Sequence, residues 1–79
     1  MCRNITPLRG LDPPATAEEV ESAARQYVRK VSAVSTAAQM ASPEIEQAVA
    51  RVAEATADLL AQLPPRRNPP TVVPPLRRR

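Results

Sequence analysis

The chain has 79 residues, one cysteine, no histidine, a single aromatic side chain (Tyr27) and a net charge of +3. It is therefore one small domain, without an internal disulfide or a zinc site built from nitrogen and sulfur ligands. No run of about 18 apolar residues is present to span a bilayer, and the amino terminus lacks the apolar stretch of a secretory signal.

These totals lead us to expect a cytoplasmic protein with no metal, no cofactor and no membrane partner. Alanine supplies much of the aliphatic content and buries little area. The core is accordingly expected to be thin, completed by another protein or by a second copy of the chain. Lys30 is the one lysine among the basic residues, and arginine, alanine, proline and valine are abundant. That usage points to a GC-rich bacterial genome and bears on codon supply, not on function.

Residues 1–16 read as an arm. Pro7, Gly10, Pro13 and Pro14 exclude a helix there and argue against a long strand. Ile5, Leu8 and Leu11 fall at three-residue steps and are placed to pack across helices that follow. The plainer alternative is a frayed terminus with incidental apolar residues.

Thr16-Ala-Glu-Glu19 is a capping box, in which the Thr16 hydroxyl takes the Glu19 amide and the Glu19 carboxylate returns to the Thr16 amide. It predicts a first helix over about 17–33. Val20, Ala23, Ala24, Tyr27, Val28, Val31 and Val34 share its apolar face, with Tyr27 expected in the core. Glu18, Ser22, Arg25 and Arg29 take the other face, and acids at the start with Arg29 and Lys30 at the end suit the helix dipole. Ser35 to Ser42 is a short polar and alanine-rich connection, unless alanines 37, 38 and 41 prolong the first helix by a turn.

The second helix carries the clearest signal. Ile45, Ala48, Val49, Val52, Thr56, Leu59, Leu60 and Leu63 recur at helical spacing, Ser42 suits the N-cap, Pro43 the first turn, and Pro64-Pro65 stops the helix. Such a helix is about 30 Å long. A charge at Val52 or Leu59 is expected to abolish helicity, because both belong to the stripe that must be covered. Residues 17–63 are thus expected to be an antiparallel helical hairpin, and the fold class all-α.

From Pro64 the chain repeats a doubled proline every five residues, and residues 64–79 hold five arginines and no acid, against six basic and eight acidic residues in 1–63. Extended polyproline II is the favoured conformation of this tail. No two prolines lie three apart, which removes the simplest SH3-ligand motif. A stiff solvated tail is the plain reading.

The opening Met1-Cys2-Arg3-Asn4-Ile5, the turn Leu8-Arg9-Gly10-Leu11 with Pro13-Pro14-Ala15-Thr16, and the run Ala24-Arg25-Gln26-Tyr27-Val28-Arg29-Lys30-Val31-Ser32 together resemble domain-of-unknown-function family 2277. This is a family of short bacterial proteins, frequent in actinobacteria. The resemblance runs from Met1 to about Arg79 and implies a bacterial, cytoplasmic setting. The family brings no established activity, so nothing about mechanism follows. Where its pattern leads one to expect glycine after Ser32 and Pro-Ser in the loop, this chain has Ala33 and alanines.

Candidates for chemistry are few. Removal of Met1 would place the Cys2 thiol beside an α-amine of pKa near ~8, with Arg3 favouring the thiolate. No histidine, paired carboxylate or glycine-rich oxyanion loop accompanies it, and an incidental cysteine is the simpler reading. Glu54 and Asp58 lie four apart on a polar helix face, where solvation is the default and neither a shifted pKa nor a calcium site is supported. Arg25, Arg29 and Lys30 form a basic patch that caps a helix end or contacts phosphate.

The expected function is that of a non-catalytic protein–protein interaction or accessory subunit. Leu59 and Leu63 of the stripe dock the partner, together with Arg66, Arg67, Val72, Val73, Leu76, Arg77, Arg78 and Arg79 of the tail. The alternative is a nucleic-acid-associated accessory protein that grips phosphates through its arginine tail.

Overall fold

The computed structural model describes residues 5–64 and 74–77. Helix α1 spans Ala17–Ser32, α2 Ala37–Met40 and α3 Pro43–Gln62, and a 3-10 turn covers Pro75–Arg77. The fold is all-α, an antiparallel pair of long helices with the arm laid along it.

The capping box closes as the sequence predicts. The Glu19 amide donates to Thr16 Oγ1 at 3.1 Å, and the Thr16 amide donates to Glu19 Oε1 at 2.9 Å. At the other end α1 stops on Ala33, whose φ of 57° and ψ of 34° lie in the left-handed region. The Val34 amide then donates to the Arg29 carbonyl at 3.2 Å and the Ala33 amide to the Lys30 carbonyl at 3.3 Å, a Schellman ending. Glycine is the residue that position favours, which gives a physical reason for the glycine that the resemblance leads one to expect there.

The connection is neither a plain loop nor a prolongation of α1. Thr36 caps the single turn α2, accepting from the Gln39 amide at 3.1 Å, while Gln39 Oε1 accepts from the amides of Thr36 and Ser35 at 3.4 and 3.3 Å. Thr36-Ala-Ala-Gln39 has the same spacing as the first capping box, so the signal was present in the sequence. Helix α3 begins with Ser42 as N-cap and Pro43 in its first turn and ends before Pro64.

The two long helices bury one row each. Among the described residues Val20, Ala24 and Val28, four apart on α1, and Val49 on α3 are the buried hydrophobics, with Ile45, Ala48, Val52 and Ala53 packed against Ala24, Val28 and Val49. Arg25 bridges the pair, donating from Nη1 and Nη2 to Glu46 at 3.0 and 3.2 Å and from Nη2 to Glu21 at 3.4 Å. This row is narrower than the stripes read from periodicity. Tyr27, expected in the core, is 46% exposed, and Val31, Leu59 and Leu63 are exposed too. Two helices in contact along a line cover only the facing row, and flanking rows need a further layer.

Candidate functional site

The arm supplies part of that layer. Thr6 is buried, Leu8 and Leu11 are half-buried and Ile5 is exposed. Arg9 Nε donates to the Pro64 carbonyl at 3.0 Å, which ties the arm to the end of α3.

Leu8 stands where three concavities meet. One, of about 530 Å³, lies between the arm and the α1–α3 end and is lined by Leu8, Leu11, Val20, Leu60 and Leu63 among others. A second, of about 310 Å³, is a groove lined by Ile5, Leu8, Tyr27, Val52, Thr56 and Leu60, with Ala23 at its floor. Both are largely apolar and within the size range of binding pockets. The third, lined by Ile5, Thr6, Leu8 and α1 with Pro74 and Leu76 on its other wall, holds only about 10 Å³.

The last described residues hold that closure. Arg77 Nε donates to Glu19 Oε2 at 2.6 Å and Nη2 to Glu19 Oε1 at 3.0 Å, a forked pair, while Nη2 also donates to the carbonyls of Pro13 at 2.8 Å and Pro14 at 3.2 Å. Residues 75–77 therefore form a 3-10 turn and not the extended polyproline conformation expected of the tail. The guanidinium is drawn onto a carboxylate that is 4% exposed.

The Arg77 hydrogen bond, with the Thr16 amide second, holds the Glu19 carboxyl below the usual glutamate range against the opposing effect of burial. Glu46 is lowered in the same way by Arg25, whose own pKa is raised chiefly by the hydrogen bond to Glu46. Both Glu19 oxygens are engaged, so this carboxylate anchors a cation and has no free oxygen poised for proton transfer.

The residues expected to bind a partner are distributed as follows. Leu63 lines the larger cavity, Leu59 is 54% exposed on the outer row of α3, and Leu76 is 50% exposed at the closed cleft. Arg77 faces into its own chain. Arg66, Arg67, Val72, Val73, Arg78 and Arg79 lie outside the described residues, as does Cys2. Glu54 and Asp58 are exposed, and Arg29 and Lys30 are exposed in the last turn of α1. Glu19, the anchor of the whole arrangement, was read from sequence only as a cap, because nothing local links it to a residue 58 positions away.

Fold and site define a small all-α protein in which residues 5–16 and 74–77 lie against a helical hairpin and leave apolar concavities beside the arm. Among the described residues no helix is long and apolar enough to cross a membrane. The chain belongs to the DUF2277 family, described as an uncharacterized conserved protein, whose family model matches residues 1–79. No curated protein and no solved structure matches it.

Proposed function

We propose that this is a non-catalytic interaction protein, an accessory subunit that docks another protein, or a second copy of itself, on the face beside the arm. The setting we infer is a bacterial cytoplasm, on the arginine- and alanine-rich composition and the resemblance carried by the opening residues. One observation carries the reading. The 310 Å³ groove bordered by Ile5, Tyr27 and Val52 lies open, Tyr27 is about half exposed at its edge, and Leu59 of α3 is about half exposed too. With four buried hydrophobics among the described residues, leaving the chain's one aromatic ring uncovered is costly unless something covers it.

The phosphate-gripping alternative finds less support, because Arg25 and Arg77 are paired with carboxylates of the same chain. To test the reading, tagged wild type and a Tyr27→Ser/Leu59→Asp variant are purified side by side, with sedimentation velocity and mass spectrometry of co-eluting proteins. An association present in wild type and lost in a variant of normal helicity is the expected result. Identical association of both would overturn the assignment of this face.

A further inference from the structure

The tail meets the body as a peptide meets a receptor. Pro74 is buried, and with Leu76 it closes a cleft walled by Ile5, Thr6 and Leu8 of the arm and by Ser22 and Ala23 of α1. The space left, about 10 Å³, admits at most one water. The Arg77 amide donates to the Pro74 carbonyl at 3.0 Å, and this turn swings the guanidinium onto Glu19 and the carbonyls of Pro13 and Pro14. One arginine fork thus satisfies acceptors on both the helix and the arm, which a lysine ammonium cannot match.

The receptor is organised independently of the tail. Glu19 is oriented by its capping box with Thr16, so its second oxygen is presented whether or not an arginine arrives. Without an arginine, Glu19 Oε2 loses its partner and Oε1 keeps only the Thr16 amide, and that favours an arginine-bearing occupant. Proline adds to the selection because a segment containing it loses little entropy on docking.

We propose that this cleft is a recognition site for a segment of the form Pro-x-x-Arg on a partner protein, and that the chain's own Pro74–Arg77 is a built-in competitor for it. The proposal rests on the interaction reading above and names the partner's chemistry. Ile5, Thr6, Leu8 and Ala23 line both the cleft and the open 310 Å³ groove, so the two adjoin. The chain's own tail fills the cleft and leaves the groove open. A partner segment that continues with apolar side chains into the groove gains contacts the tail lacks. A second copy's identical tail gains none, and it competes against a tethered segment whose effective concentration is on the order of millimolar. The occupant that displaces the tail is therefore a different protein.

The test is a fluorescence anisotropy titration of a labelled Val-Pro-Pro-Leu-Arg peptide against full-length wild type, Arg77→Ala and Glu19→Gln/Arg77→Ala. Gln retains the capping box, as Gln39 does in α2, and removes the charge. We expect Arg77→Ala to bind the peptide at least about tenfold more tightly than wild type, whose tail competes, and the double variant to lose binding. Equal binding by all three, or none by a helical Arg77→Ala chain, overturns the proposal. So does a wild-type dimer by sedimentation that Arg77→Ala abolishes, since the occupant would then be a second copy's tail. If Arg77→Ala loses its helical signal, the Arg77 Nε resonance of wild type is followed instead. Movement on adding millimolar peptide is the expected result, and an unmoved resonance overturns the proposal. None of these arms alters Tyr27 or Leu59, so failure here is distinct from failure of the docking face.

Discussion

Ala33 is a position at which a single methyl group bears on stability. A Cβ in the left-handed region costs about 1–2 kcal/mol, and the Schellman hydrogen bonds of Val34 and Ala33 hold the residue there regardless. Ala33→Gly is expected to stabilise the protein by about 1 kcal/mol, raising the thermal midpoint by roughly 4–8 °C for a domain of this size. A melt with no rise would show that the backbone relaxes around the alanine. Glu19 gives the second prediction at this scale. Its carboxyl titrates lower in the folded chain than in the unfolded one because of Arg77 and the Thr16 amide. The stabilisation is therefore present above the unfolded glutamate value and is lost as pH falls through the lowered folded value. Acid titration should weaken the wild type more than Glu19→Gln, and parallel acid melts of the two would refute it.

At the scale of the element, the question is which part of each apolar stripe the hairpin uses. Val49 is 1% exposed at the centre of the buried row, and Val49→Ala is expected to cost about 2 kcal/mol in a denaturant melt. Val52 packs against the same row, so Val52→Asp should still lower helicity. Leu59 is different. Periodicity places it in the stripe, yet it is 54% exposed, so Leu59→Asp should leave the circular dichroism of the chain unchanged and change only its associations. Collapse of helicity in Leu59→Asp would restore the burial that the spacing implied.

For the whole molecule, the ends matter more than the hairpin. Arg9 ties the arm to Pro64 and Arg77 ties the tail to Glu19, so arm, α1, α3 and tail form one connected unit. Truncation after Pro64 takes from Glu19 the cation that holds both of its oxygens, and the thermal midpoint should fall while both long helices persist. A truncated chain as stable as the full one would mean that Arg77 contributes nothing. The same pairing bears on nucleic acid. With Arg77 and Arg25 neutralised within the chain, binding of labelled single-stranded RNA at physiological salt should be weak. Tight binding that falls by roughly 0.7 logarithmic units per phosphate neutralised would favour the alternative reading.

What the sequence by itself determined is local. Thr16 with Glu19, Ser42 with Pro43, and Pro64 after Leu63 set the start of α1 and both ends of α3 to within about a residue, because caps and breakers act over three or four positions. The Thr36–Gln39 box is equally local and starts α2. The apolar periodicity identified both helices but not the row each would bury, since that depends on the surface a helix meets and not on its own spacing. Hence Tyr27 and Leu59 are exposed while Val20, Ala24, Val28 and Val49 form the core. Only the tertiary structure decided that Arg77 reaches Glu19. Any arginine of the tail has the charge to pair with any of eight acids, and the choice follows from where the arm, Pro74 and the buried carboxylate converge in space.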